Sequence, residues 1–230
     1  MVAVDAMGQS VVHLIESSIM TMERMRQLQR RFRDLPLVSA TLVIINIIVF
    51  VACLFVGGYL YSCGGVDRYS IVFYHEYGRL FWALFLHDDT AHLFNNMIIL
   101  FFLGAMLEKE TGHISFTIIY FLSGIGGNVV SLYHKIATAS NSLSIGASGA
   151  VFGLDGLLLA LVLFSPGFRD IASPPRVALM IGLSLYNGFM GSNIDNAAHV
   201  GGLIIGFLAG TVYVLARNII KRNQRREVQF

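Results

Sequence analysis

Charged residues are scarce in this sequence: Asp, Glu, Lys and Arg make up 13% of its 230 residues, whereas 55% of the residues are hydrophobic. A soluble domain usually carries about 25% charged residues. The shortage argues against a soluble globular protein and predicts a protein embedded in a membrane. Cysteine is also rare. The pair Cys53 and Cys63 gives no disulfide framework, so we expect two thiols that pack among their neighbours.

Long hydrophobic stretches, by contrast, are abundant. They cover residues 35–66, 90–107, 114–133, 143–168, 177–194 and 197–216, and Asp155 is the one charged residue within them. Each can cross about 30 Å of hydrocarbon as a helix, which needs roughly 20 residues. The sequence therefore predicts an all-α membrane protein with six transmembrane helices in one domain, residues 35–217. No signal peptide is expected, because residues 1–10 lack a long apolar core.

The basic residues indicate how these helices are oriented. Most of them fall on one side of the predicted bundle, and only Arg68, Arg79 and Lys135 fall on the other side. The positive-inside rule then places both termini in the cytoplasm. Segment 1–34 is expected to be an amphipathic helix on the inner leaflet or a solvated tail, and segment 218–230 a basic cytoplasmic tail. Topology accounts for the basic residues, so no nucleic-acid partner is expected.

Spans two, four and six would begin at the outer surface, and their first turns carry polar side chains. The stretches are HDDTAHLFNNM, with His87, His92, Asn95 and Asn96; SIGASGAVFG, with Ser148; and NIDNAAHVGG, with Asp195, Asn196 and His199. Polar side chains inside a membrane are costly and usually face a cavity or another helix. Before span two lies a long aromatic-rich loop, residues 62–89, which is expected to sit at the membrane interface or to guard a site.

Ser148 has two interpretations, helix packing and nucleophilic catalysis. Small residues surround it and also follow His199: Gly149 and Gly153 in span four, and Gly202, Gly206 and Gly210 in span six. Such faces let helices approach closely, and a serine is a common member of them. If the two faces dock, however, the His199 imidazole can reach the Ser148 hydroxyl and take its proton during attack on a carbonyl.

Acyl transfer also needs hydrogen-bond donors for a developing oxyanion. The start of span four offers free backbone N–H groups, including that of Ser148. His92 and Asn96 are four residues apart and share a helix face, so they can donate too, or they can form a pair that braces the loop. Asp195 is expected to be a helix cap rather than a third catalytic acid. Asp155 lies too deep to orient His199 directly.

At these residues the chain resembles the rhomboid family of intramembrane serine proteases. The matching pieces, HDDTAHLFNNM, GASGAVFG and AHVGGLIIG, occur in the family's order on spans two, four and six. The resemblance covers the six-helix core, and the combination is far more specific than a lone Gly-x-Ser-Gly. The chain departs from the family in the loop before span two, where Gly78 replaces a tryptophan ahead of Arg79.

The resemblance implies a six-helix rhomboid-like bundle with Ser148 as nucleophile and His199 as general base, and with no cofactor or metal. The other residues to which it gives roles are His92, Asn96 and the Ser148 backbone in the oxyanion hole, Gly146 at the turn, Phe152 against the histidine, and Gly202 and Gly206 in close packing.

The leading hypothesis is a serine endopeptidase that cleaves single-span transmembrane proteins within the lipid bilayer, near its outer face. A bacterial plasma membrane is expected, with an organelle as the alternative. A catalytically silent rhomboid-like protein that binds membrane clients is a second hypothesis, against which the retained serine and histidine argue. A metal transporter is a third, suggested by the histidines at the outer side, His75, His87, His92, His134 and His199. No cluster of acidic and histidine ligands crosses the predicted membrane.

Overall fold

The computed structural model describes residues 18–28, 32, 34–56, 58–169, 172–190 and 194–227, so predictions for residues 1–17 and 228–230 lie outside the described part. The helices are α1, described over residues 18–28, α2 (Leu37–Val56), α3 (Tyr59–Gly64), α4 (Arg68–Tyr74), α5 (Arg79–Trp82), α6 (Thr90–Thr111), α7 (His113–Ala137), α8 (Ser148–Phe164), α9 (Pro174–Met190) and α10 (Asn196–Glu227). Short 3₁₀ turns cover Ala83–Phe85 and Pro166–Phe168.

The six long helices α2 and α6–α10 confirm the prediction of an all-α membrane bundle. Four of them, α2, α6, α7 and α10, are long and apolar enough to cross a membrane, and α8 is apolar but shorter, with 17 residues. At 1.5 Å per residue α8 spans about 26 Å, near the lower limit for a crossing. Large apolar side chains such as Phe55, Phe102 and Val212 point outward, as lipid contact requires.

Glycine-lined surfaces hold α8 against α10, and this is the most extensive helix contact in the described part of the chain. A Cβ atom added to Gly202 would lie 1.9 Å from the carbonyl oxygen of Gly149. One added to Gly206 would lie 2.0 Å from the carbonyl oxygen of Gly153. No side chain fits at either position, so the predicted docking of the two glycine faces is confirmed.

Carboxylate groups cap the N-terminal ends of several helices. Some of these groups lie in the preceding loop, and one lies on a neighbouring helix. Asp89 Oδ1 accepts a hydrogen bond from the His92 backbone N–H at 2.8 Å, which caps α6. The first turn of α2 is capped instead by Glu108 of α6, whose two carboxylate oxygens accept the backbone N–H groups of Val38 and Ser39, each at 2.8 Å. This cap joins residues about 70 positions apart and ties the N-terminal end of α2 to the far end of α6.

The segment between α2 and α6 is built from the short helices α3–α5, and Arg79 organises it. Its guanidinium is buried, donates to the carbonyl oxygens of Ser62 at 2.6 Å and Gly65 at 3.0 Å, and lies 3.3 Å from the Asp67 carboxylate. The loop is therefore anchored from Arg79 although Gly78 replaces the family's tryptophan.

The backbone just before α8 is extended rather than helical, so α8 begins five residues later than the hydrophobic stretch that starts at residue 143. Ser144 pairs with Val66 through two reciprocal backbone hydrogen bonds of 2.8 and 2.9 Å. Gly146 then takes a positive φ of 119°, a conformation that L side chains rarely adopt. This turn places Ser148 as the first residue of α8, facing the start of α10.

Candidate active site

The structure brings Ser148 and His199 into contact. Ser148 Oγ lies 2.8 Å from His199 Nε2, a hydrogen-bond distance, although the two residues are 51 positions apart. Ser148 opens α8 and His199 lies in the first turn of α10, so both side chains sit at the same end of the bundle. His199 is buried, which keeps most solvent away from its ring.

The His199 ring is held by an aromatic side chain. Phe152, one turn below Ser148 on α8, stacks on the imidazole with ring centroids 4.3 Å apart and planes inclined by 21°. Within the described residues, His199 Nδ1 is buried without a hydrogen-bond partner. The orientation of the His199 ring therefore depends on stacking and on the glycine contacts of α10, and no acidic side chain of the described residues hydrogen-bonds to it.

Asp195, four residues before His199, is engaged elsewhere. Its Oδ1 accepts the Ala198 backbone N–H at 3.0 Å, which confirms the prediction of a helix cap. Its Oδ2 accepts hydrogen bonds from the hydroxyls of Ser131 and Ser144. Burial alone would raise the pKa of this carboxyl, but the two hydroxyls hold the pKa below its ordinary value. Asp195 thus links α7 and the turn before α8 to the start of α10.

His92 and Asn96 approach the turn that carries Ser148. A Cβ atom added to Gly146 would lie 2.7 Å from His92 Nε2 and 3.8 Å from Asn96 Nδ2. Gly146 is thus required both for its positive φ and for the space that these two side chains occupy. The predicted oxyanion donors and the candidate nucleophile therefore share one small region.

His87 contacts both Asn96 and the turn before α8, a role that the sequence did not predict. Its Nε2 accepts hydrogen bonds from Asn96 Nδ2 at 3.1 Å and from the Ala147 backbone N–H at 3.4 Å. Burial, followed by the nearby His92, lowers the pKa of His87 to about 4, so the ring is neutral and Nε2 can accept. On the other side, His92 Nδ1 donates to Asp88 Oδ1 at 2.6 Å. Sequence spacing alone does not reveal these partners.

A cavity of about 990 Å³ opens in front of these residues. The four predicted site side chains, those of Ser148, His199, His92 and Asn96, all line it. Asp155 and Ser184 line it as well. Among the described residues, no three His, Cys, Asp or Glu side chains are grouped so as to hold a metal ion.

Fold and site together define a class of protein: an integral, multi-pass helical membrane protein with a serine–histidine pair at a cavity between its helices. The Rhomboid domain pattern matches residues 74–216, which is more than half of the chain. The chain belongs to the rhomboid family, and the resemblance seen in the sequence is confirmed.

Curated relatives support this assignment. RHOMBOID-like protein 1 of Arabidopsis thaliana is 34% identical over 168 residues, which is 72% of this chain and 42% of that protein. Rhomboid protease GluP of Bacillus subtilis (strain 168) is 35% identical over 153 residues, 66% of this chain and 29% of the relative. Rhomboid protease AarA of Providencia stuartii is 31% identical over 172 residues, 66% and 61% respectively. The chain spans less than two thirds of the length of each.

Proposed function

We propose that this protein is an intramembrane serine endopeptidase that hydrolyses peptide bonds in or near transmembrane segments of other membrane proteins. The observation that carries the proposal is the 2.8 Å contact between Ser148 Oγ and His199 Nε2 at a cavity in a membrane bundle. Two bacterial relatives bear the name rhomboid protease, which supports the same chemistry.

In the proposed reaction, Ser148 Oγ attacks the scissile carbonyl carbon while His199 Nε2 takes the hydroxyl proton. The carbonyl bond electrons move to oxygen, and the tetrahedral intermediate then collapses to an acyl-enzyme. His199 returns the proton to the departing amine. A water molecule, deprotonated by the same nitrogen, attacks the ester carbonyl, and as the acid product is released His199 returns this proton to Ser148 Oγ. The Phe152 stack holds the ring in line for both transfers.

The oxyanion is proposed to rest against the start of α8. The Ser148 backbone N–H and the helix dipole favour negative charge there. Asn96 Nδ2 uses one hydrogen on His87 and has a second to donate. His92 is proposed as a further donor, because its Nε2 faces the Gly146 turn and Asp88 Oδ1 holds its Nδ1 at 2.6 Å.

We further propose that the protein lies in a bacterial plasma membrane with both termini in the cytoplasm, and with the site near the outer face. The two bacterial relatives support the choice of membrane, and the basic residues at the end of α10 support the orientation. The proposed partners are single-span membrane proteins, which reach the cavity from the surrounding lipid.

Cleavage of a single-span reporter by purified protein in liposomes tests the proposal. Ser148→Ala and His199→Ala should each lower kcat by at least about 1,000-fold, because neither partner works without the other. Ser140→Ala, at a half-buried loop serine that does not line the cavity, is the matched control and should cleave like the wild type. A fluorophosphonate should label Ser148 in the wild type and much less in His199→Ala.

Two results would contradict the proposal. One is undiminished cleavage by Ser148→Ala. The other is a folded wild-type protein that binds the reporter, resists fluorophosphonate and cleaves nothing, which would favour the catalytically silent client-binding protein.

A further inference from the structure

Asp155 is the one charged residue within the six hydrophobic stretches of the sequence, and the mechanism above does not use it. It lies on α8 seven residues after Ser148, and only 4% of its surface is exposed. What remains exposed faces the 990 Å³ cavity, whose wall it helps to form. A carboxyl group in such a place is expensive to bury, so its presence needs a reason.

The carboxyl group has no hydrogen-bond or ion-pair partner among the described residues. The other deeply buried acid of the bundle is well satisfied. Glu108 accepts the Val38 and Ser39 backbone N–H groups, the Ser39 hydroxyl at 2.6 Å and the His113 ring at 2.5 Å. Asp155 therefore differs from a structural carboxylate, because its hydrogen-bonding capacity is left free on the cavity side.

The position of Asp155 relative to the nucleophile is set by helix geometry. Seven residues are about two turns, so Ser148 and Asp155 lie on the same side of α8, about 10 Å apart along the axis. Helical side chains lean towards the N-terminus, which turns the carboxyl back towards Ser148. Val151 and Phe152 line the wall between them. The cavity thus runs from the nucleophile along apolar walls to an acid at its deep end.

A long side chain with an apolar stem and a cationic head matches this shape. Lysine and arginine combine three or four methylene groups with a charge that a carboxylate can pair. An ion pair at Asp155 would satisfy the buried carboxyl and the buried cation together, whereas a purely apolar side chain would leave the carboxyl unpaired.

We propose that Asp155 makes this cavity a subsite for a lysine or arginine side chain of the substrate, at a residue adjacent to the scissile bond. The inference rests on the proposed protease function and names the substrate class of that site. Such an ion pair should discriminate strongly between substrates, because a site built to bind a polar group disfavours substrates that lack that group.

The test is a set of single-span reporters that differ only at the residues flanking the cleavage point, which carry Lys, Arg, Met or Glu. The measured quantity is the ratio of kcat/KM for Lys or Arg to that for Met. We expect a ratio of at least about 10 in the wild type and a fall of at least tenfold in the isosteric Asp155→Asn. Asp155→Leu should reverse the preference towards Met. Asp34→Asn removes the same charge far from the cavity and should leave the ratio unchanged.

Binding to Ser148→Ala separates this inference from the proposed function. Peptides with Lys or Met at the flanking position are titrated into Ser148→Ala and Ser148→Ala/Asp155→Asn in liposomes. Tighter binding of the Lys peptide that disappears in the double variant supports the subsite even if the wild type cleaves nothing. Equal binding of both peptides overturns the inference, and so does a cleavage ratio that Asp155→Asn leaves unchanged.

Discussion

The contact between α8 and α10 predicts that a single methyl group at Gly206 will disable the protein. In Gly206→Ala the added Cβ would meet the Gly153 carbonyl oxygen at 2.0 Å, whereas ordinary van der Waals contact begins at 3.4 Å. The helices must separate by about 1.4 Å at this level, and overpacking of this kind costs about 1–3 kcal/mol. Backbone atoms form the obstacle, so no side chain can rotate away to relieve it.

The separation reaches the site because Gly206 lies two turns below His199 on the same helix. The Ser148–His199 distance of 2.8 Å is maintained by this packing, and a misplacement of about 1 Å can lower a rate about 100-fold. We expect Gly206→Ala to lose about 100-fold in kcat/KM on a cleavable reporter and to unfold at a lower temperature in detergent.

Gly182→Ala is the matched control, because a Cβ at Gly182 in α9 meets no atom of the described residues within 4 Å. It should keep full turnover and gain slightly in stability, since alanine is the better helix former. The reasoning would be refuted if Gly206→Ala kept the unfolding temperature and turnover of the wild type. Equal losses in both variants would refute it as well.

Three further predictions concern the structure around the site. Glu108→Ala should lower the free energy of unfolding by about 3 kcal/mol, because α2 loses its cap. Glu110→Gln removes only a partly exposed ion pair with Arg217 and should lower it by less than about 1 kcal/mol. Chemical denaturation measures both, and equal effects would contradict the cap. Arg79→Ala should lower the free energy of unfolding by about 3–5 kcal/mol and expose the loop before α6 to limited proteolysis. A loop that resists the protease as well in the variant as in the wild type would disprove this prediction. His87 has a pKa of about 4 in the folded protein and 6.5 when unfolded, so the unfolded chain binds the extra proton as pH falls from 6.5 towards 4. Stability should drop by about 2 kcal/mol between pH 7 and pH 5 and by less in His87→Gln, and a pH-independent melting temperature would refute this assignment.

Much of the architecture could be predicted from local chemistry. The hydrophobic stretches predicted six long helices, and the glycines at four-residue spacing predicted the surface through which α8 and α10 dock. The order of the three polar stretches predicted which helix ends meet. The start of α8 was harder to predict, because the extended pairing of Ser144 with Val66 depends on a loop nearly 80 residues earlier.

The partners of the polar side chains were the least predictable part. His87 and His92 are five residues apart in one polar stretch, yet one is a buried neutral acceptor and the other pairs with Asp88. In the sequence, Glu108 is one of several charged residues at the end of a predicted span. It caps α2 only because α2 packs beside α6 in the folded chain. Hydrogen-bond partners depend on which groups are buried together, and burial is a property of the folded chain.

By itself the sequence determined that this chain enters a membrane, that it forms six long helices and which residue types gather at one end, because hydropathy and helical periodicity act over neighbouring residues. The tertiary structure alone decided that Ser148 and His199 touch, that Phe152 stacks on the His199 ring, and that the Asp155 carboxyl lines a cavity without a partner among the described residues. Those facts depend on distances between helices, and it is the packing of backbone against backbone at the glycines that sets them.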